Sequence, residues 1–432
     1  MKHHVSAVAV FIVVTVAFGA VFAVYWKGLL GQAAGKAGVM KGGGMAMQPP
    51  PLVGLRNVSV TTLAGPLPRT SRASDGGCVD AKGPEARFDG PSAVAAGATG
   101  EVWVTDSRNH RLRRIGPDGA VVTLAGSGPG STTVGAFADG AAETARLWNP
   151  SGLAPAPNGN AYFTDSGNHR VRSVLGGQVR SLAGGDTPLD AFGLPGGGLQ
   201  DGPGAAARFC YPTGIAVRSD GVLLVVDTGN RRVRAVLPDG TTSTFVDLAG
   251  AGAKSPCGIA LAPDGRVLVA DPAAREVFVI APDHTVAPLP GVRKDDPIWV
   301  KPTGVAVSAQ GIIYVADTGS HAILRIRLGA APQLLAGMVP LPAPGAGFAD
   351  GTGDKARFAV PSGVAIDAAG ALYVADFGNN AIRKLLIGPE IRPPRPRGAK
   401  GGGSAGKGGG PPARRNTPPP NPPSSGGAPP AH

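Results

Sequence analysis

Six aspartates, Asp106, Asp165, Asp227, Asp271, Asp317 and Asp376, each close an apolar run, and in three cases a histidine follows four residues later, at His110, His169 and His321. Carboxylates and imidazoles in such a pattern are the material of metal ligation or general acid–base chemistry. Recurrence argues for a plainer role. An Asp that ends a strand before a Gly-Asn turn accepts loop N–H bonds, so a residue repeated in every copy is expected to serve the copy. The three histidines hold equal places in different copies. So do Arg87, Arg146, Arg208 and Arg357, each between Ala and Phe or Leu. Those four arginines either pin a connection through nearby carboxylates and carbonyls or form an anion-binding rim. With Arg108 and Arg231 of the Asp-led loops, these make the candidate binding residues.

Other chemistries find little support. The region 57–390 has no Gly-x-Ser-x-Gly, the chain has no His-Glu-x-x-His or phosphate-binding Gly loop, and its five glutamates are scattered. Three cysteines without a C-x-x-C exclude a disulfide scaffold and a standard structural zinc site. Cys210 and Cys257 lie beside equivalent prolines of adjacent copies, which makes them a candidate pair.

The elements that position these residues are repeats. A first mark, Pro-(Ser/Thr/Cys)-(Gly/Ala), begins at Pro91, Pro150, Pro212, Pro256, Pro302 and Pro361. It steps by 59, 62, 44, 46 and 59 residues, and the six aspartates step identically. In the third copy, Gly214 to Val217, Val222 to Val226, an alternating Arg/Val stretch from Arg232 to Leu237 and a run ending at 246–250 read as four short strands. The alternation predicts a half-exposed third strand. Six such copies predict an all-β, six-bladed β-propeller. The sixth copy lacks a fourth strand, whereas Val60 to Gly65, before the first copy, matches one. The N-terminal strand, within 57–65, is therefore expected to complete the last blade.

The flanks differ from the ring. Val5 to Trp26 is uncharged and long enough to cross a bilayer, which predicts a membrane anchor or signal peptide over 1–27. A flexible linker (28–56) and a disordered basic Pro/Gly-rich tail (391–432) are expected around the propeller (57–390). Lys27, Lys36 and Lys41 favour a cytosolic body, whereas the sequon at Asn57 would act only on the lumenal side. The net charge of +12 sits in the flanks; residues 57–390 carry 29 basic and 29 acidic groups. A neutral propeller argues against nucleic acid as the partner.

Asp165-Ser-Gly-Asn-His-Arg-Val-Arg172, with relatives at Asp106 and Asp317, resembles the NHL repeat. The resemblance covers residues 57–388, is clearest in copies one, two, three and six, and is weakest in copy four. Those four copies also carry Asp75/Arg87/Phe88, Asp139/Arg146/Leu147, Asp201/Arg208/Phe209 and Asp350/Arg357/Phe358. In this they are more similar to plant, algal and bacterial NHL proteins than to the animal RNA-binding ones. The resemblance implies a six-bladed propeller acting as a binding module for a protein, peptide or glycan. It also allows a metal-dependent lyase or hydrolase with Ca²⁺ or Zn²⁺ on the axis, although the residues themselves ask for no cofactor. Topology places the fourth-to-first connections, including the long insertions 66–90, 127–149, 185–211 and 338–360, on the same face as the Asp-led loops. That face is the expected site.

Overall fold

A computed structural model describes residues 52–67, 76–127, 135–156, 160–186, 188, 195–339 and 345–389. The expected anchor (5–26) and the tail from 391 lie outside the described residues. No helix among the described residues is long and apolar enough to cross a membrane.

Six antiparallel sheets of four or five strands succeed one another along the chain, beside a two-stranded pair of Leu52–Val53 with Met338–Val339. Their innermost strands are Pro91–Ala96, Pro150–Ala156, Pro212–Val217, Gly258–Leu261, Pro302–Val307 and Pro361–Ile366. Each touches the next, and the sixth returns to the first, so the sheets are blades of a closed six-bladed propeller. The second strands end at the recurring aspartates, and the five-residue examples are buried throughout because both faces meet a neighbouring blade. The core is accordingly divided among the six junctions. One cluster joins Val94, Val104 and Ile115 of blade 1 to Tyr373 and Ile382 of blade 6. Another joins Leu224 and Val233 of blade 3 to Val269 and Phe278 of blade 4.

The Pro-x-Gly mark has a steric cause at these junctions. A Cβ on Gly214 would collide with the Cys257 carbonyl, and one on Gly258 with the Thr303 carbonyl. At these two junctions glycine lets the innermost strands approach so closely, whereas blade 1 carries Ala93 at the same place.

The last blade closes as expected. Val58–Ala64 pairs with Ala381–Ile387, in the register Val60↔Leu385 and Thr62↔Arg383. Residues 52–56, expected as linker, are instead docked: Gly54 N–H donates to Gly337 O at 3.0 Å and Leu55 N–H to Leu335 O at 2.9 Å. In blade 3 the outermost strand is Thr242–Asp247, and the chain turns from Leu248 where a strand to residue 250 was expected.

The insertions do more than cover one face. Their described parts are arms, folded back through the pairs Val79↔Arg87, Ala138↔Arg146, Gln200↔Arg208 and Ala349↔Arg357. Each arm docks on the outermost strand of the blade it leads into, as Gly140–Ala141 does on Gln178–Ala183 and Gly351–Thr352 on Val58–Ala64. The arms thereby satisfy edge N–H and C=O groups of blades 1, 2, 3 and 6.

Deleting residues 57–65 should replace the sharp urea unfolding transition of the full chain with a broader one at lower denaturant, followed by circular dichroism. An unchanged transition would mean that the ring does not depend on this strand.

Candidate functional site

At the end of the second strand of blade 3, Asp227 is fully buried. One oxygen accepts the Cys210 N–H at 2.7 Å. The other accepts Asn230 Nδ2 and Arg234 Nη1, each at 2.8 Å. Arg234 also donates through Nη1 to Arg208 O at 3.0 Å and through Nη2 to Gln200 O at 2.9 Å and Asp201 at 2.5 Å. Asp201, on the arm, accepts Thr244 N–H of the outermost strand at 3.0 Å. The Phe209 ring lies 5.1 Å from the guanidinium carbon. One arginine thus ties the second and third strands to the arm, and the arm to the outermost strand.

The same relay recurs three times. It runs Asp106–Arg113–Asp80 in blade 1, Asp165–Arg172–Asp139 in blade 2 and Asp376–Arg383–Asp350 in blade 6, with Arg–carboxylate distances of 2.6–2.7 Å. Two sequence expectations change here. The third strand is not half-exposed at Arg234, which is fully buried. In blade 1 the arm carboxylate is Asp80; Asp75 lies outside the described residues. The signal in sequence for these four arginines as a set is their constant spacing, each seven residues after its Asp.

Burial pushes Asp106 up to about 6, and the Arg113 guanidinium and the Asn109 and Asp89 donors pull it back. Asp165 and Asp376, also raised chiefly by burial, are countered first by their arginines. Asp227 is likewise raised by burial. An Asp titrating near 6 is ionised at neutral pH, so the pair in blade 1 is a buried ion pair there.

The histidines latch one blade to the next. Each sits at φ of 54–57°. Nδ1 of His110 accepts the Asn149 N–H at 3.0 Å, that of His169 the Tyr211 N–H at 2.9 Å, and that of His321 the Val360 N–H at 3.0 Å. Every donor precedes the first proline of the following blade. Blade 6 does the same with an amide: Asn380 Oδ1 accepts the Gly90 N–H at 2.8 Å. An accepting Nδ1 leaves the proton on Nε2, and in His169 that nitrogen meets Pro195 O at 2.9 Å. Burial lowers the pKa of His169 and His321.

Blades 4 and 5 are built differently. Asp271 accepts the N–H groups of Lys254, Ser255, Ala273 and Ala274 at 2.7–3.0 Å. Asp317 accepts those of Val300, Lys301, Gly319 and Ser320 at 2.8–3.0 Å. Phe278 and Leu324 stand where the relay has arginine.

The repeated arginines of the arms turn to carbonyls. Arg87 donates to Pro84 O and Ala86 O, Arg208 to Ala205 O and Ala207 O, and Arg357 to Asp354 O and Ala356 O. Arg146 is exposed, and its carbonyl accepts from Arg172. Arg108, also exposed, stacks 4.8 Å over Phe377 of blade 6. Asn57 sits at the closing seam and donates to Gly388 O at 2.9 Å. The cysteines are free, so the Cys210–Cys257 pair does not form here; burial pushes Cys257 up to about 12.

The inner ends of the first strands carry Ser92, Ser151, Thr213, Cys257, Thr303 and Ser362. Several hand a hydrogen bond to the next blade, as Thr213 Oγ1 does to Cys257 O at 3.1 Å and Ser362 Oγ to Ser92 O at 2.9 Å. This set of five hydroxyls and one thiol offers neither the carboxylate and carbonyl oxygens that hold Ca²⁺ nor the cluster of imidazole, thiolate or carboxylate groups that holds Zn²⁺. Among the described residues, no group of three or more His, Cys, Asp or Glu is placed to hold a metal ion.

Two tests follow from the junction chemistry. Arg383→Leu leaves Asp376 buried without its counter-charge and should destabilise the chain by about 3–5 kcal/mol in urea; adding Asp376→Asn should recover part of that loss. A change below about 1 kcal/mol would show that the relay is slack. The second concerns pH. His169 and His321 resist protonation when folded, whereas the unfolded chain takes up protons below about 6.5. Their contribution is complete above that pH and is lost as pH falls through it. The raised Asp106 works in the opposite direction. The double variant His169→Asn, His321→Asn, which copies the Asn380 latch, should therefore lose less melting temperature between pH 7 and pH 5 than the parent. Equal losses would remove the latch histidines as the titrating groups.

The NHL repeat family matches residues 88–115, 209–235, 300–326 and 358–385, which are the inner three strands of blades 1, 3, 5 and 6. Blade 2, whose loop carries the resemblance in sequence, is not among the matches. Protein SUPPRESSOR OF QUENCHING 1, chloroplastic, of Arabidopsis thaliana is 34% identical over 96 residues, covering 22% of this chain and 9% of that protein. NHL repeat-containing protein 2 of Bos taurus is 26% identical over 251 residues, covering 56% of this chain and 29% of that protein. The chain thus spans less than a third of either relative. A crystal structure of a structural genomics protein of unknown function from Bacteroides thetaiotaomicron shares the fold, with a TM-score of 0.56 at 18% identity over 76% of this chain and 75% of that one. Repeats and closed ring agree: the chain carries NHL repeats in four of the six blades of a β-propeller.

Proposed function

We propose that the propeller is a binding module for a protein, peptide or glycan, held at a membrane through residues 5–26, and that it recognises its ligand through the arms and the face from which they spring. One observation carries this reading. The arms expose large apolar side chains, Leu67, Val79, Phe137, Leu199 and Tyr211, at 41–50% of their surface. Scattered apolar residues are normal on a protein surface. Among the described residues five of the ten exposed large apolar side chains lie on these irregular segments, while the recurring polar side chains of the blades turn inward to hold the junctions. Apolar groups on connections anchored to a rigid scaffold are the usual makings of a recognition surface. Phe137 is moreover stacked under Arg170 at 3.9 Å, which fixes its ring in place without covering it.

Peptide and glycan arrays probed with the detergent-solubilised full chain should identify a ligand. Its affinity should then fall about tenfold or more in the variant Phe137→Ser, Leu199→Ser, Tyr211→Ser, with the melting temperature unchanged. Leu237→Ser with Leu328→Ser, on turns of the opposite face, should bind like the parent. Full retention in the first variant, or loss confined to the second, would place recognition elsewhere.

A further inference from the structure

The junctions between blades 3 and 4 and between blades 4 and 5 depart from the other four in three coordinated ways. Their connections, 248–257 and 289–301, carry no folded-back arm. Their aspartates accept from backbone N–H groups in place of an arginine. And the left-handed loop position that latches the other blades with His or Asn is Arg231 in blade 3 and Arg275 in blade 4, at φ of 53° and 54°. A guanidinium has no acceptor atom, so it cannot make the latch. Nothing in the backbone asks for arginine there; asparagine or glycine adopts that conformation more readily.

What these arginines do is add charge to an uncovered sector. At the latched junctions the left-handed residue reaches toward the segment before the next blade's proline. At the two armless junctions that segment carries Lys254 and Lys301. Arg275 follows the same direction: it donates to Trp299 O at 2.9 Å, two residues before Lys301. Arg231, Lys254, Arg275 and Lys301 therefore alternate around one third of the ring, the first three exposed and the last half-buried. They sit on the face bearing the Asp-led loops. The nearby carboxylates Asp247, Glu276 and Asp295 are engaged by Arg232, Lys294 and Arg293 respectively.

We infer that this open sector is a binding site for an acidic polypeptide segment, whose carboxylates pair with Arg231 and Arg275 and are flanked by Lys254 and Lys301. Arginine binds a carboxylate through two parallel N–H bonds, which suits a chain of separate carboxylates. The interspersed Asp247, Asp295 and Asp296 interrupt the basic surface, so separate carboxylates on a peptide fit it better than a continuous polyanion such as RNA or a sulfated glycan. This site is distinct from the apolar arms, and either can fail without the other.

The test uses the full chain in detergent with tail residues Arg392, Arg395, Arg397, Lys400, Lys407, Arg414 and Arg415 changed to Gln, so that the basic tail does not bind the probe. A fluorescein-labelled oligoglutamate peptide should bind with salt-sensitive anisotropy, and an oligoglutamine peptide should not. Arg231→Glu with Arg275→Glu should weaken binding at least tenfold at unchanged melting temperature, whereas Arg218→Glu on the opposite face should leave it unaltered. Zero-length carbodiimide cross-linking, read by mass spectrometry, should join the peptide to Lys254 or Lys301. Binding indifferent to the double charge reversal, cross-links confined to other lysines, or capture of heparin but not of oligoglutamate would each overturn the inference.

Discussion

Four guanidinium groups, buried without access to water, decide how this ring is assembled. Placing a charge in a protein interior is costly unless opposite charge and hydrogen bonds surround it. Each of these arginines meets both conditions, with two carboxylates and two carbonyls drawn from separate stretches of chain. Lysine could not replace it, because one ammonium lacks the planar fork that reaches so many acceptors at once. A buried ion pair adds little net stability over a well-packed apolar core. The more telling property is geometric: only one placement of the arm against the blade satisfies all the acceptors.

The arms and the arginines consequently belong together. An arm brings the second carboxylate and the carbonyls that the guanidinium needs, and the guanidinium in turn holds the arm. Blades 4 and 5 have neither, and their aspartates are satisfied by backbone N–H groups of tighter connections. The propeller is thus made of two kinds of blade around a common inner ring. Four are latched, armed and neutralised from within. Two are compact, and the connections that lead into them carry Lys254 and Lys301.

Much of this was legible from residue spacing. The number of blades and the closing strand followed from two marks that step together, because any residue obliged to end a strand or admit a neighbour must recur with the strand. Arg234 was harder to read. Alternating Arg and Val is how a strand with one wet face looks, and nothing local reveals that an arm thirty residues earlier folds down to cover that face. Asp75 carries the more conspicuous Asp-Gly pair, but Asp80 has the seven-residue spacing to Arg87 that the other arms share. The histidine latches were legible as structural positions but not as bonds, since the partner is a backbone N–H in the next copy and leaves no trace in side-chain identity. In sequence Arg231 stands apart from Lys254, Arg275 and Lys301, which the order of the blades brings into one sector.

The seam has a consequence for biosynthesis. The outermost strand of the last blade is the first propeller segment to leave the ribosome, and its partner, Ala381–Ile387, is the last. No arrangement of the intervening chain gives Val58–Ala64 its neighbour before some three hundred residues have been translated. Individual blades are local in sequence, but the ring is governed by one contact of nearly maximal separation, the kind that slows folding most. Until that contact forms, an exposed strand edge persists at each end of the nascent array, where a chaperone or a second copy could pair with it.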